Sequence, residues 1–262
     1  MTVLSPDALA GRTIVVTGAA RGIGAGIVAA VLEAGANAVL LDLDAAAAAE
    51  AARSLDASGA RTLALAADVT DAASLEAAVA PATSRFGRID GWINNAGIVR
   101  MGPAEAITAE GWDLEFAVTT PAPFLGARAA HGAFAGKGGA IVNIASNAGK
   151  VGFPNMAAYN ASKAAVINLT RSLAKEWAGA GINVNAVCPG SVATPMLREV
   201  ADVLEREGKG DAKALFAGMV PAQLGRHVTP IEVGRVVAFL LSDAALVIRG
   251  QAINLDGGDT PY

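Results

Sequence analysis

The feature that most constrains this chain is an alternation. Short runs of β-branched and apolar residues are each followed by a longer, alanine-rich stretch. The short runs are Thr13–Thr17, Ala38–Leu41, Thr62–Ala66, Gly91–Ile93, Ala140–Ile144, Asn183–Val187 and Ala252–Leu255. Most are apolar at nearly every position rather than at every second one. Strands with that pattern are buried on both faces, as in a parallel sheet covered by helices. The stretches between them predict helices over Gly24–Ala34, Ala45–Ser58, Ala72–Phe86, Ala109–Phe134, Ala157–Ala178 and Pro230–Leu241. Repeated strand–helix units build a doubly wound α/β sheet. No linker rich in Pro, Gly and Ser breaks the series, so a single domain over 1–262 is expected. Pro81, inside the third helix, should kink it.

Composition removes several classes. With 262 residues, 53% hydrophobic and 17% charged, the chain can bury a sizeable core and is not disordered. A net charge of −4 leaves no basic patch for a phosphate backbone, so no nucleic-acid partner is expected. One cysteine and two histidines leave little for a disulfide or a metal site, and no metal is expected. The longest uncharged stretch, Trp177–Leu197, carries Gly179, Asn183, Asn185, Pro189 and Pro195, which a spanning helix would not. No positive region precedes an apolar stretch at the start. A cytoplasmic protein without a membrane partner is expected.

The turn Thr17-Gly18-Ala19-Ala20-Arg21-Gly22-Ile23-Gly24 joins the first strand to the first helix. Glycines let backbone approach a pyrophosphate, and the helix N-terminus offers free N–H groups and partial positive charge. Asp42 closes the second strand. A carboxylate there accepts hydrogen bonds from the ribose hydroxyls of NAD and repels the 2′-phosphate of NADP; its bland alternative is a helix cap. Arg21 pulls weakly towards a 2′-phosphate, or lies against the ribose or pyrophosphate. Asp68-Val69, after the third strand, is placed to meet adenine. Asn94-Asn95-Ala96-Gly97, after the fourth, brings amides and small residues to the cofactor.

Three further motifs follow in order: Ser146, Tyr159-Asn160-Ala161-Ser162-Lys163 and Pro189-Gly190-Ser191-Val192-Ala193-Thr194. Together with the glycine turn they make the chain resemble the classical short-chain dehydrogenase/reductases from about Gly11 to Gly258, and that family has a Rossmann fold. The resemblance implies a nicotinamide-dependent oxidoreductase in which Tyr159 is the general acid/base, and Asp42 makes NAD the expected cofactor. It also places Tyr159, Lys163, Gly18, Arg21, Gly22, Ile23, Gly24, Pro189, Gly190, Val192 and Thr194 at the cofactor. Thr194 is expected at the nicotinamide carboxamide, and Val192 meets it through its backbone. Physical chemistry supports the central role. A free phenol is a poor base at neutral pH, with a pKa of about 10. A cation nearby lowers that value, and Lys163 shares a helix face with Tyr159. The Ser146 hydroxyl can hold the substrate oxygen during proton transfer. Taken alone, Tyr159 and Lys163 would be an ordinary helix pair and Ser146 a strand-end cap.

The chain departs from the family where an asparagine is expected, after Trp112-Asp113-Leu114-Glu115-Phe116-Ala117-Val118. Thr119 stands there, which puts the fourth catalytic position in doubt. Pro121 and Pro123 follow. In a regular helix the Thr119 carbonyl would accept the N–H of residue 123, and proline has none. The resemblance implies a relay water at this position, which a freed carbonyl can hold.

By resemblance, the stretch around Arg100, the residues after Ser146 and the segment 196–224 line the substrate pocket. The charge-rich Arg198–Lys213 reads as a solvated helix or as a mobile lid. Asn147, Lys150 and Asn155 favour a small polar secondary alcohol, such as a polyol or sugar; Lys150 alone reads more readily as a surface loop lysine. The alternatives are a 3-oxoacyl-carrier-protein reductase and a non-catalytic cofactor-sensing or scaffold protein. Helices low in charge point to a homotetramer or homodimer.

Overall fold

A computed structural model describes residues 5–262. Seven strands form one parallel sheet: β1 (Thr13–Thr17), β2 (Asn37–Asp42), β3 (Thr62–Ala66), β4 (Gly91–Asn94), β5 (Gly139–Ile144), β6 (Ile182–Pro189) and β7 (Ala252–Leu255). Their order is β3-β2-β1-β4-β5-β6-β7. Val15 sits between Val39 and Trp92, so β1 is flanked by β2 and β4. The strand order reverses there, and in such sheets ligands bind outside the strand C-termini at the reversal. The expected doubly wound α/β sheet, a Rossmann-like fold, is therefore present.

Helices cover both faces, which is why the strands read as continuous apolar runs. Successive side chains of β1 point to opposite faces. Ile14 and Val16 join a core with Ile27, Val31, Val237 and Leu240. Val15 joins another with Leu41, Trp92, Ile141 and Val184. The first core lies under α1 (Gly22–Glu33) and α10 (Pro230–Leu241). Complete burial of a side chain such as Ile14 or Ile141 contributes about 1.5–3 kcal/mol. Among the described residues no helix is long and apolar enough to cross a membrane.

Prolines divide two expected helices. The stretch Ala72–Phe86 forms α3 (Ala72–Ala77) and α4 (Val79–Phe86), separated at Ala78. In an unbroken helix the missing N–H of Pro81 would have bonded the Ala77 carbonyl, and α3 ends at that residue. The stretch Ala109–Phe134 forms α5 (Ala109–Thr119) and α6 (Pro121–Ala133), with Thr120 between them at φ −115 and ψ −61. Pro121 occupies the first turn of α6, where an N–H has no helical partner in any case. The remaining helices are α2 (Ala45–Leu55), α7 (Ala157–Glu176), α8 (Pro195–Arg206) and α9 (Ala212–Gly218). Of these, α8 and α9 occupy the charge-rich segment between β6 and α10. Val200 and Ala201 are the buried face of α8.

Candidate active site

At the sheet reversal the chain is stitched by backbone and small side chains. The Thr17 hydroxyl accepts the N–H groups of Asn95 and Ala96 at 3.0 and 3.1 Å. The Asn95 amide donates to the Thr17 and Gly18 carbonyls, both at 2.9 Å. Asn95 thus holds the glycine turn against β4. Thr17 was not among the expected site residues; a polar residue closing an apolar strand is its only sequence signal. Gly18 has φ +61, and a Cβ there would stand 2.8 Å from the Ala96 Cα. A Cβ on Gly24 would overlap the Gly18 carbonyl oxygen. Side chains are excluded on both sides of the turn by backbone, which does not yield.

Helix α1 starts at Gly22, with Arg21 as a cap residue that makes no side-chain cap bond. The N–H groups of its first turn stay open. Arg21 is exposed and Ile23 is half-buried. Asp42 turns its carboxylate back to this turn: Oδ2 accepts the Ala20 N–H at 3.0 Å, and Oδ1 the Asp44 N–H at 3.2 Å. The cap of α2 is Asp44, which accepts the Ala47 N–H at 3.0 Å. Asp42 is therefore not a helix cap. Asp68 accepts the Thr70 hydroxyl at 2.7 Å and its N–H at 2.9 Å, and these bonds hold its carboxyl below the usual range. Val69 packs on the core under β3.

After β6 the chain passes through Pro189 and Gly190, whose N–H donates to the Leu255 carbonyl at 3.3 Å. Val192 is buried and pairs with Val228. Thr194 caps α8, its hydroxyl accepting the Leu197 N–H at 3.3 Å. A Cβ on Gly22 would lie 3.5 Å from the Thr194 methyl. The segments after β1, β4 and β6 thus converge on one cleft. A cradle bare of side chains, an open helix N-terminus and a carboxylate at the end of β2 together suit a dinucleotide.

Beside this cradle lie Ser146, Tyr159 and Lys163. Ser146 follows β5, is buried, and accepts the Ala148 N–H at 3.1 Å. Tyr159 and Lys163 stand one turn apart on α7. The Lys163 ammonium is buried, donates to the Ile144 carbonyl at 2.9 Å, and lies 5.6 Å from the centre of the Tyr159 ring. A Cβ on Gly97 would come within 3.5 Å of that nitrogen.

The expectation that Lys163 lowers the Tyr159 pKa needs correction for the protein on its own. Burial pushes the phenol up to about 12, against the pull of the Ser146 hydroxyl and with a further push from the Glu115 carboxylate. Burial likewise brings Lys163 down to about 8, with Glu115 opposing it. Desolvation is the largest cause for both groups. The Lys163 ammonium spends a hydrogen bond on a carbonyl instead of on the phenol.

Thr119 ends α5 and is buried, with no protein partner for its hydroxyl. One turn earlier lies Glu115, which sequence reasoning passed over. It is wholly buried; Oε2 accepts the Arg100 N–H at 2.8 Å and Oε1 has no protein partner. Burial pushes its carboxyl up to about 6, although the Arg100 N–H and the charges of Lys163 and Arg100 pull the other way. The available signal was an acid one helical turn before the anomalous Thr119.

The polar pocket expected after Ser146 is only partly present. Asn147 is buried. Lys150 is neither a pocket cation nor a free surface lysine: it donates to the carbonyl oxygens of Ala252 at 2.8 Å and Tyr262 at 3.1 Å. It fastens the chain end to β7. Asn155 reaches Glu207, just past α8, at 3.4 Å. Between α8 and the loop after β4 opens a cavity of about 220 Å³ lined by Val99, Met101, Val200 and Val203, with Glu199, Asp202 and Arg206.

Known proteins share this fold. A family model described as Enoyl-(Acyl carrier protein) reductase matches residues 18–260. The 2-(S)-hydroxypropyl-CoM dehydrogenase 3 of Xanthobacter autotrophicus is 40% identical over 96% of this chain and 98% of its own. The D-threitol dehydrogenase of Mycolicibacterium smegmatis is 38% identical over 96% and 94%. A short-chain type dehydrogenase/reductase from Mycobacterium marinum superimposes with a TM-score of 0.87 at 31% identity, covering 97% of each chain. The chain belongs to the short-chain dehydrogenase/reductase family. It is an oxidoreductase of alcohols and carbonyls that works with a nicotinamide cofactor.

Proposed function

We propose that the enzyme uses NAD to interconvert a small polar secondary alcohol and its ketone. Asp42 carries the cofactor choice: its carboxylate faces the glycine turn, where it would accept ribose hydroxyls and repel a 2′-phosphate. The open N-terminus of α1 would take the pyrophosphate. The bound nicotinamide supplies the hydride acceptor and, when oxidised, a positive charge. Ser146 orients the substrate oxygen, Tyr159 holds or takes the proton at its phenol oxygen, and Lys163 keeps positive charge beside it. Thr119 takes the fourth position. Asp68, Val69, Asn95, Ala96, Gly97, Pro189, Gly190, Val192 and Thr194 border the cofactor, Asn95 by holding the turn and Thr194 also as a helix cap.

A polyol or sugar-like alcohol is the favoured substrate. The D-threitol dehydrogenase among the relatives supports it, as does buried Asn147. The segment 196–224 closes over the substrate within a single functional unit, 1–262. Exposed Trp112 and Leu114 on α5 and Phe124 on α6 support a dimer or tetramer. The test is kcat/KM with NAD and NADP across short secondary alcohols and polyols; equal or better use of NADP would overturn the reading. The description of the matching family model favours a second reading, an acyl-carrier-protein reductase. Reduction of a 3-oxoacyl thioester with NADPH, and no turnover of polyols, would select it.

A further inference from the structure

Glu115 is a buried carboxyl group that the acid–base reading leaves without a task. Its side chain is 0% exposed and that of Thr119, one turn on, is 1% exposed. Glu115 Oε1 and Thr119 Oγ1 both lack a protein partner. Residues one turn apart share a helix face. A buried polar atom without a partner costs free energy, and a buried carboxylate costs more. No direct ion pair with Lys163 offsets this among the described residues. The bond from the Arg100 N–H does not explain the acid either, because a neutral glutamine would accept it equally well. Placement does explain it. Arg100 lies just beyond Gly97, which borders the Lys163 ammonium. The charged or titratable groups around the carboxyl are Lys163 and Tyr159 from α7 and Arg100 from the loop after β4. Two orphan oxygens on one face are partners for an ordered water, which needs two to four polar contacts.

We propose that Glu115 and Thr119 form the inner end of a proton path serving Lys163 and Tyr159, with Glu115 taking up and releasing the proton. In alcohol oxidation the substrate O–H bond breaks and its proton passes to Tyr159. Lys163 yields an N–H proton towards Thr119 through water, and its N–H bond is re-formed with the proton that the Tyr159 O–H gives up. The last O–H bond forms at Glu115 Oε1, so the carboxylate becomes a neutral acid. Tyr159 and Lys163 end as they began, and the hydride leaves to the nicotinamide as in the reaction above. Glu115 then releases its proton to solvent beside the Arg100 loop. Reduction runs the same path backwards. Glu115 acts through other groups and touches no reacting atom, so it is a positioning residue.

The inference rests on the acid–base reading of Tyr159 and Lys163, and its test includes a measurement that needs no substrate. Infrared titration of the ligand-free protein should show a buried protonated carboxyl band with a midpoint near pH 6, absent in Glu115→Gln. Thr119→Val should shift that band by removing a shared water partner. In turnover, Glu115→Gln should lower kcat on the order of tenfold at unchanged KM, a smaller loss than a general acid–base group gives. It should also remove the acid limb of the kcat profile and raise the solvent isotope effect. Thr119→Val should lower kcat with the carboxyl intact, which keeps the test open if Glu115→Gln folds poorly. A Glu115→Gln enzyme with native kcat and an unchanged acid limb would reduce Glu115 to a loop anchor. A missing carboxyl band, or one indifferent to Thr119→Val, would overturn the path even if no alcohol is turned over. Failure of every alcohol as substrate with the band behaviour intact would instead count against the function reading.

Discussion

At the ends of β1, β2 and β4 the site is made mostly of backbone; between α5 and α7 it is made of buried side chains. The first region tolerates almost no variation, because Gly18 and Gly24 are pressed against other main-chain atoms. The second carries Thr119 where the family resemblance leads one to expect asparagine, and holds orphan polar atoms, yet keeps Ser146, Tyr159 and Lys163 together. Binding a dinucleotide demands one shape, which sterics can enforce locally. Moving a proton demands only a chain of groups with suitable affinities, and several sets of side chains can supply it. The cofactor region is therefore fixed by backbone sterics, while the proton path is set by the choice of side chains.

The sharpest way to separate the two regions is Tyr159→Phe. The ring stays and only the proton carrier goes. The expected loss in kcat is about 10²–10⁴-fold, with cofactor affinity nearly unchanged by fluorescence titration. Near-native turnover would place the proton elsewhere; lost cofactor binding would show that the two regions are one.

Asp42→Ala attacks the other side. It removes a charged hydrogen-bond acceptor worth about 1.5–3 kcal/mol. The NAD over NADP preference in kcat/KM should narrow by about tenfold to a hundredfold. The pH profile of kcat should not move, since the change lies outside the proton path. A preference that stays fixed would remove Asp42 from cofactor choice.

These regions also differ in how legible they were. The strands, their burial on both faces and the glycine turn follow from local patterns, and the prolines marked both helix breaks. Ser146, Tyr159 and Lys163 were legible from motif order. Glu115 was not, because its significance depends on a loop at Arg100 and a lysine on α7, both distant in sequence. The pKa directions were hidden too. Spacing shows that Lys163 neighbours Tyr159, but not that burial dominates the titration of both groups. Lys150 was misread for the same reason: its partners, Ala252 and Tyr262, come from the far end of the chain.

The carboxyl at Glu115 gives a stability signature with a definite sign. Its folded pKa is raised from 4.5 to about 6. Ionised Glu115 therefore destabilises the fold above pH 6 by about 2 kcal/mol, and the penalty fades as pH falls from 6 to 4.5 and is gone below that. Glu115→Gln should raise the melting temperature at neutral and alkaline pH and leave it unchanged in acid. A gain that persists at low pH would mean glutamine packs better, not that a charge was removed. Stability gained together with turnover lost is the pattern expected of a functional acid.

The smallest expected effect comes from Pro123→Ala, which tests whether the break between α5 and α6 contributes to the proton path. Pro123 cannot donate to the Thr119 carbonyl, and Pro121 cannot donate to that of Ala117. The Pro123 carbonyl is itself engaged, accepting the Asn94 amide at 3.0 Å within a buried network that includes Asn143 and Thr170. Alanine at 123 keeps that acceptor and adds one N–H, which in a regular helix would meet the Thr119 carbonyl. Pro121 still holds the break at Thr120, so the fold should survive with little change in stability. If the free Thr119 carbonyl helps to hold water beside Glu115, closing it should slow kcat a few-fold and raise the solvent isotope effect. Substrate KM and cofactor preference should stay put. Full activity, with the new N–H bonded to the Thr119 carbonyl in a structure of the variant, would assign the path to the side chains of Glu115 and Thr119 alone. The prolines would then be left with a purely structural role, dividing one long helix into two that pack against α7 and β4.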